Sequence, residues 1–483
     1  MARFKNGISP VFHGWKSMRS GACFSFAGVF GSALLWLASF KVVALWLGPA
    51  GVGLYSQLRQ IVQAATVAAT YGGTNAVVQG LSEREDESDR FRFRVMASRL
   101  IGGTGAAMAI LIFISAPLLT RFFLSSDDSA LIASIRWLSL AVLLSVGATY
   151  LMAVLNGYRA YGHLAAAQIA GPSGLALALA AVYFLGIDYR PEMLVWLFIL
   201  CFGLSFGIGA WMVAHRPRTY TAQTNDSLTV RETSAFLKFA FSTLMAALAA
   251  TVALLLIRSW IIESRGLAFA GLFDAGWTLT FNYTTLFLTA CSTIYLPLLT
   301  RATEPARQKA CMLKTAYLVL GISTLVGYVM VMFKTPLIRL LYSREFDMAG
   351  DLLAILVVAV ILRGVSWVYG TLIIATRSSR TLLLSDLLLN VGLLALVWCC
   401  LRHRPMLEAL GWAFVTAHFL YLVFVVEYVR RKNGQMQRRR IWPLVAVATL
   451  PLIFRSDEAQ WVQLAIGLCV SGIALYSYKT VMT

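Results

Sequence analysis

Apolar runs of about 20 residues recur from one end of the chain to the other, separated by short polar and often basic segments. A helix rising 1.5 Å per residue needs a run of about that length to cross roughly 30 Å of hydrocarbon. Helix is the expected element in each run, because lipid offers backbone N–H and C=O groups no partner outside their own ladder. Twelve spans are predicted: 22–47, 54–79, 97–120, 131–154, 163–186, 192–214, 236–262, 274–299, 314–333, 352–375, 382–401 and 409–429. A weaker pair follows at 441–454 and 460–477; the first of these is short and holds Pro443 and Pro451. The pattern predicts an all-α polytopic membrane protein with 12–14 transmembrane helices.

Composition agrees. Of 483 residues, 59% are hydrophobic and 13% charged, where soluble chains carry about a quarter charged. The net charge of +19 does not indicate nucleic acid, because the basic residues fall in clusters between apolar runs and form no basic face of a soluble fold. With the amino terminus inside, 26 of the 41 Lys and Arg residues fall on cytoplasmic segments, counting Lys238 and Lys314 at the cytoplasmic ends of their spans, 9 on outside loops and six elsewhere within spans. That bias orients the chain, with a cytoplasmic amino terminus. The run from Ala22 to Leu47 is too long for a cleaved signal sequence and reads as an anchor. The expected organisation is a cytoplasmic segment 1–21, a first lobe 22–214, a linker 215–235, a second lobe 236–429, a basic loop 430–440 and a hydrophobic hairpin 441–483.

The chain repeats itself at an offset of 218 residues. Gly53-Leu54-Tyr55 matches Gly271-Leu272-Phe273, Leu81 matches Leu299, Arg159 matches Arg377, and Gln168 stands opposite Asp386. Lys41 falls one position from the counterpart of Arg258. Six spans per half make this a parallel repeat, with an axis along the membrane normal and a site expected between the halves.

Besides Lys238 and Lys314 at span ends, six basic residues lie inside spans: Lys41, Arg59, Arg99, Arg136, Arg258 and Arg363. An ionised group near the bilayer centre costs at least about 2.5–3.5 kcal/mol, so it is retained where it faces a cavity or a partner. Arg99 and Arg136 are near span ends and can snorkel to the interface. Lys41, Arg59, Arg258 and Arg363 are deeper, and the carboxylates within or near spans, Asp274, Asp386 and Glu427, are too few to neutralise all four. A central cationic cavity for an anion is expected. Arginine offers phosphate a planar fork, and lysine a movable point charge. Asn75, Asn282 and Asn390 read as buried amides, with Asn75 a candidate sugar contact. Asp386, Asp274, Arg159 and Arg377 are candidate coupling-ion or gating residues, so H+ or Na+ coupling is open; for Asp386 a structural pair with Arg377 or Arg380 is the alternative. Glu427 is expected to pair locally with Arg430 and Arg431, and His418 to be packed. The seven cysteines show no metal or redox spacing. No Ser/His/Asp set and no phosphate-binding Gly-Lys-Ser/Thr loop is present. No enzyme, metal or organic cofactor is indicated.

The run Gly48 to Ile61, GPAGVGLYSQLRQI, with Lys41 upstream, resembles the opening of the Wzx flippases of the multidrug/oligosaccharidyl-lipid/polysaccharide exporter superfamily. Asn156-Gly-Tyr-Arg159, Tyr295 to Glu304, Leu341 to Phe346 and Ala409-Leu-Gly-Trp412 resemble the branch that flips the enterobacterial common antigen lipid intermediate. The resemblance covers about residues 22–432. It implies two six-helix lobes around a cationic cavity, and flipping of an undecaprenyl-pyrophosphate-linked oligosaccharide from the cytoplasmic to the periplasmic leaflet of a bacterial inner membrane by alternating access. Such a flippase serves surface polysaccharide assembly, whether O-antigen, exopolysaccharide or common antigen, with a polysaccharide polymerase and a chain-length regulator as candidate partners. Lys41, Arg59 and Arg258 fall where that branch is also basic, and Arg363 stands in place of a lysine. Two rivals stand beside it. An ion-driven multidrug exporter would need a cavity rich in carboxylates. A glycan polymerase or ligase would need an aqueous domain, and the chain has no segment of that size between spans.

Overall fold

The computed structural model describes residues 9–72, 75–84, 86–188, 190–215, 230–302, 304–375, 379–403 and 406–433, with short pieces between 445 and 476. Among these residues the regular structure is helical throughout. Ten helical runs among the described residues are long and apolar enough to cross a membrane. Two of them are double. Phe26–Ala69 has 44 residues and Ala247–Ser292 has 46, each roughly twice what one crossing needs. Each is broken at a glycine with positive φ, Gly48 (φ 62°) and Gly266 (φ 83°). Counting both halves of each run recovers the twelve expected spans. The weaker pair 441–454 and 460–477 lies largely outside the described residues, as do Arg377 and most of the expected linker.

The chain forms two compact units. The first comprises residues 1–47 and 55–255, and the second 48–54 and 256–483. In the first, α1 (Ser9–Ala69) leads to α2 (Asn75–Ser82), α3 (Glu87–Ile114), α4 (Ala116–Leu124), α5 (Ser129–Gly157), α6 (Tyr161–Phe184), α7 (Pro191–Ala214) and the start of α8 (Val230–Trp277). Helix α5 is its hub, packed on α2, α3, α4, α6 and α7, with Leu138, Ala141 and Val142 fully buried. The second unit continues α8 through a π-helical turn, Thr278–Asn282, into α9 (Tyr283–Arg301), α10 (Pro305–Met332), α11 (Lys334–Leu341), α12 (Ala349–Ala375), α13 (Ser379–His403) and α14 (Leu407–Asn433). Helix α12 is the hub here, packed on α9, α10, α11, α13 and α14.

The repeat is structural as well as sequential. Adding 218 carries α3 onto α10, the start of α4 onto the start of α11, α5 onto α12, and α6 onto α13 to within about two residues. It also carries Gly48 onto Gly266. Gly53 and Gly271, the matched pair seen in the sequence, meet backbone to backbone within the second unit. A Cβ on Gly53 would run into the Leu267 carbonyl and the Gly271 nitrogen, and one on Gly271 into the Pro49 carbonyl.

Three expected limits are corrected. The second span ends at Ala69, not 79: Thr70 turns its hydroxyl back to the Thr66 carbonyl, and Tyr71 and Gly72 take positive φ, a helix stop. Helix α3 begins at Glu87, inside the polar segment 80–96 expected as loop. Asp86 caps it by accepting from Ser88 N at 3.3 Å and from the Ser88 hydroxyl, and Glu87 and Asp89 suit the first turn. The Ser88 hydrogen bonds hold the Asp86 carboxyl below its usual range. The third span stops at Ile114, and after Ser115 the chain restarts as α4 with Pro117 in its first turn.

Candidate functional site

In the first unit Arg59 sits half-buried on α1, with its guanidinium 4.9 Å from the Trp36 ring centroid and 5.2 Å from that of Phe40. Both rings lie one helix back, across the Gly48 break. Phe40 is fixed in turn by edge contact with Tyr55 (5.0 Å), which stacks on Phe198 (4.9 Å). Among the described residues no carboxylate pairs with Arg59; two π faces seat it instead. Lys41, next to Phe40, is half-buried.

In the second unit Arg258 and Asp274, both on α8 and on either side of the Gly266 break, form a buried ion pair. Thr278 donates to the second Asp274 oxygen at 3.4 Å. This deep cation is neutralised within the protein. The π-helical turn follows at once. The turn and the start of α9, Thr278-Leu-Thr-Phe-Asn-Tyr-Thr-Thr285, are dense in threonines, and the hydroxyls of Thr280, Thr284 and Thr285 bond back to the carbonyls of Gly276, Thr280 and Phe281 at 2.7 Å, a habit that bends a helical ladder. The Phe281 carbonyl also accepts from Arg363 Nη1 at 3.4 Å, and the Arg363 guanidinium lies 5.2 Å from the Phe281 ring centroid. Phe281 stacks on Trp277 (4.1 Å) and touches Phe414 and His418. His418 is buried, its Nδ1 2.9 Å from the Phe414 carbonyl. Arg363 has no carboxylate partner among the described residues.

The remaining candidates are dispersed. Asn75 was expected as a buried amide but is exposed, because the break at 70–72 ends the span and leaves it the first residue of α2. Asn282 and Asn390 are half-buried, and Asn390 donates to the Asp386 carbonyl at 2.7 Å. Asp386 is half-buried on α13. Arg159 is exposed, with φ 57°, in the turn that closes α5. Glu427 pairs with Arg430 at 2.6 Å and with Arg431 at 3.1 Å. Sequence reasoning missed the seats, Trp36, Phe40, Thr278 and Phe281. The threonine density after Asp274 was the available signal for the last two.

Comparison with known proteins decides the family. The family described as "Polysaccharide biosynthesis protein" matches residues 19–303, more than half of the chain. The chain belongs to this family. A lipid III flippase of Escherichia coli is 26% identical over 353 residues, which cover 72% of this chain and 82% of that protein. Among solved structures, an inward-facing multidrug resistance MATE family transporter of the MOP superfamily matches with a TM-score of 0.71 at 12% identity, covering 86% of this chain and 96% of its own. The lipid II flippase MurJ in an inward closed conformation matches with a TM-score of 0.66 at 14% identity, covering 96% of this chain and all of its own. This polysaccharide biosynthesis protein therefore shares the two-lobed, all-helical fold of those transporters, and it is a multi-pass membrane protein.

Proposed function

We propose that this protein is a flippase that moves an oligosaccharide linked to undecaprenyl pyrophosphate from the cytoplasmic to the periplasmic leaflet of a bacterial inner membrane, by alternating access. The observation that carries the reading is the state of the deep arginines. Arg59 and Arg363 lie inside spans and are seated on aromatic rings and a carbonyl, with no carboxylate among the described residues. In a site of low dielectric such cations attract a phosphate far more strongly than they would in water. A multidrug exporter of the same fold, built for cationic drugs, would need the opposite sign. Membership of the polysaccharide biosynthesis family and likeness to a lipid III flippase support the same substrate class.

In this reading Lys41, Arg59 and Arg363 meet the headgroup and Arg258 joins them. The amino terminus is cytoplasmic. Asp386 is the candidate for H+ or Na+ coupling, Arg159 and Arg377 are candidates for gating, and a polymerase and chain-length regulator receive the product. The test is reconstitution in liposomes with a fluorescent lipid-linked oligosaccharide. Wild-type protein should expose the label to an external quencher without changing glycan length, and the Arg59→Ala, Arg363→Ala double variant should not. Equal flipping by both would refute the role of these cations.

A further inference from the structure

The ion pair of Arg258 and Asp274 poses a question that the transport reading alone leaves open. A buried pair of opposite charges does little for stability, because desolvation consumes much of the Coulomb attraction. The fold itself does not need charge at these positions. The counterparts of Arg258 and Asp274 in the first repeat, 218 residues earlier, are Phe40 and Ser56. Those two are also buried, so one architecture accepts a neutral pair at the same two places. Asp274 is further held by Thr278 at the mouth of the π-helical turn, and π-helical turns cluster at functional sites. The two partners stand on opposite sides of the break at Gly266.

We infer that Asp274 is an internal stand-in for the substrate's phosphate: it occupies the Arg258 guanidinium in the state described, and a phosphate headgroup displaces it when substrate binds. The inference rests on the flippase reading and adds regulation to it. One guanidinium serves two anions in turn. Carboxylate and phosphate oxygens compete for the same planar fork, so the carboxylate lowers the apparent affinity for the headgroup and then helps release it. The competition is a coupling free energy, reciprocal between the two anions.

The experiment measures binding of farnesyl pyrophosphate to purified protein in nanodiscs, and flipping of labelled lipid-linked oligosaccharide in liposomes. Asp274→Asn should bind the pyrophosphate at least about fivefold more tightly and flip more slowly. Asp274→Ser, which installs the residue of the first repeat, should behave alike. Arg258→Phe combined with Asp274→Ser reproduces the neutral pair of the first repeat, and it should fold while losing the gain in affinity. Unchanged or weaker binding by folded Asp274→Asn or Asp274→Ser overturns the inference. So does failure of both single variants to fold, since the pair is then a structural fixture. Wild-type protein that neither binds the pyrophosphate nor flips the lipid overturns the flippase reading itself.

Discussion

Arg363 and Arg258 should respond to the same substitution with opposite signs. Arg363 lies near the midpoint of the 27-residue α12. An ionised side chain at such depth costs at least about 2.5–3.5 kcal/mol. Against that stand a cation–π contact at 5.2 Å, contributing about 0.5–2 kcal/mol, and a long hydrogen bond at 3.4 Å, contributing roughly 0.5 kcal/mol at the weak end of its range. The balance leaves Arg363 destabilising by about 1 kcal/mol, so Arg363→Met, similar in length and apolar, should stabilise the folded protein by about that amount while abolishing flipping. Stability given up for function is common at binding sites. Arg258→Met removes one member of a buried pair and strands Asp274, at a cost of about 3–5 kcal/mol. Intrinsic tryptophan fluorescence, with 13 tryptophans in the chain, follows thermal unfolding of both variants in nanodiscs, and the liposome assay follows flipping. An Arg363→Met protein as unstable as Arg258→Met, or one that flips normally, would refute the assignment of Arg363 as a functional charge tolerated at a loss.

Three further outcomes follow from the geometry. Gly271→Ala places a methyl group against the Pro49 carbonyl and the Gly53 nitrogen, both backbone atoms that cannot swing aside; a loss of about 1–3 kcal/mol is expected, read as a lower unfolding temperature. Trp36→Leu removes one of the two rings under Arg59 and should weaken pyrophosphate binding by about 0.5–1 kcal/mol, with Trp36→Tyr retaining most of it in the same titration. The hydrogen bonds from Arg339 hold the Asp347 carboxyl below its ordinary value. Its contribution to stability is thus fully present above the ordinary carboxylate range and is lost as pH falls through the lowered value. Unfolding temperatures of wild type and Asp347→Asn should accordingly differ at neutral pH and converge in strong acid.

The twelve spans and the repeat were legible because hydropathy and spacing are properties of the chain itself. The matched glycines are the clearest case: Gly53 and Gly271 were paired by offset alone, and they touch in the fold. Limits were less legible where local hydrogen bonding overrides hydropathy. Asp86 starts a helix ten residues before the apolar run begins, and Thr70 with Gly72 stops one inside it. The deep cations could be found by sequence, but their environments could not. Which of them meets an acid depends on the Gly266 break bringing positions 258 and 274 together, and which rest on rings depends on contacts across Gly48.

The two breaks, at Gly48 and Gly266, constrain the sequence more tightly than the positions around them. A residue with a side chain is strained at φ 62° or 83°, so neither glycine could readily be replaced while its bend was kept. Around them the two halves differ: position 40 carries a ring where 258 carries a charge, and position 59 carries a charge where 277 carries a ring. The 218-residue repeat is thus held more closely in a pair of backbone torsions than in the side chains around them.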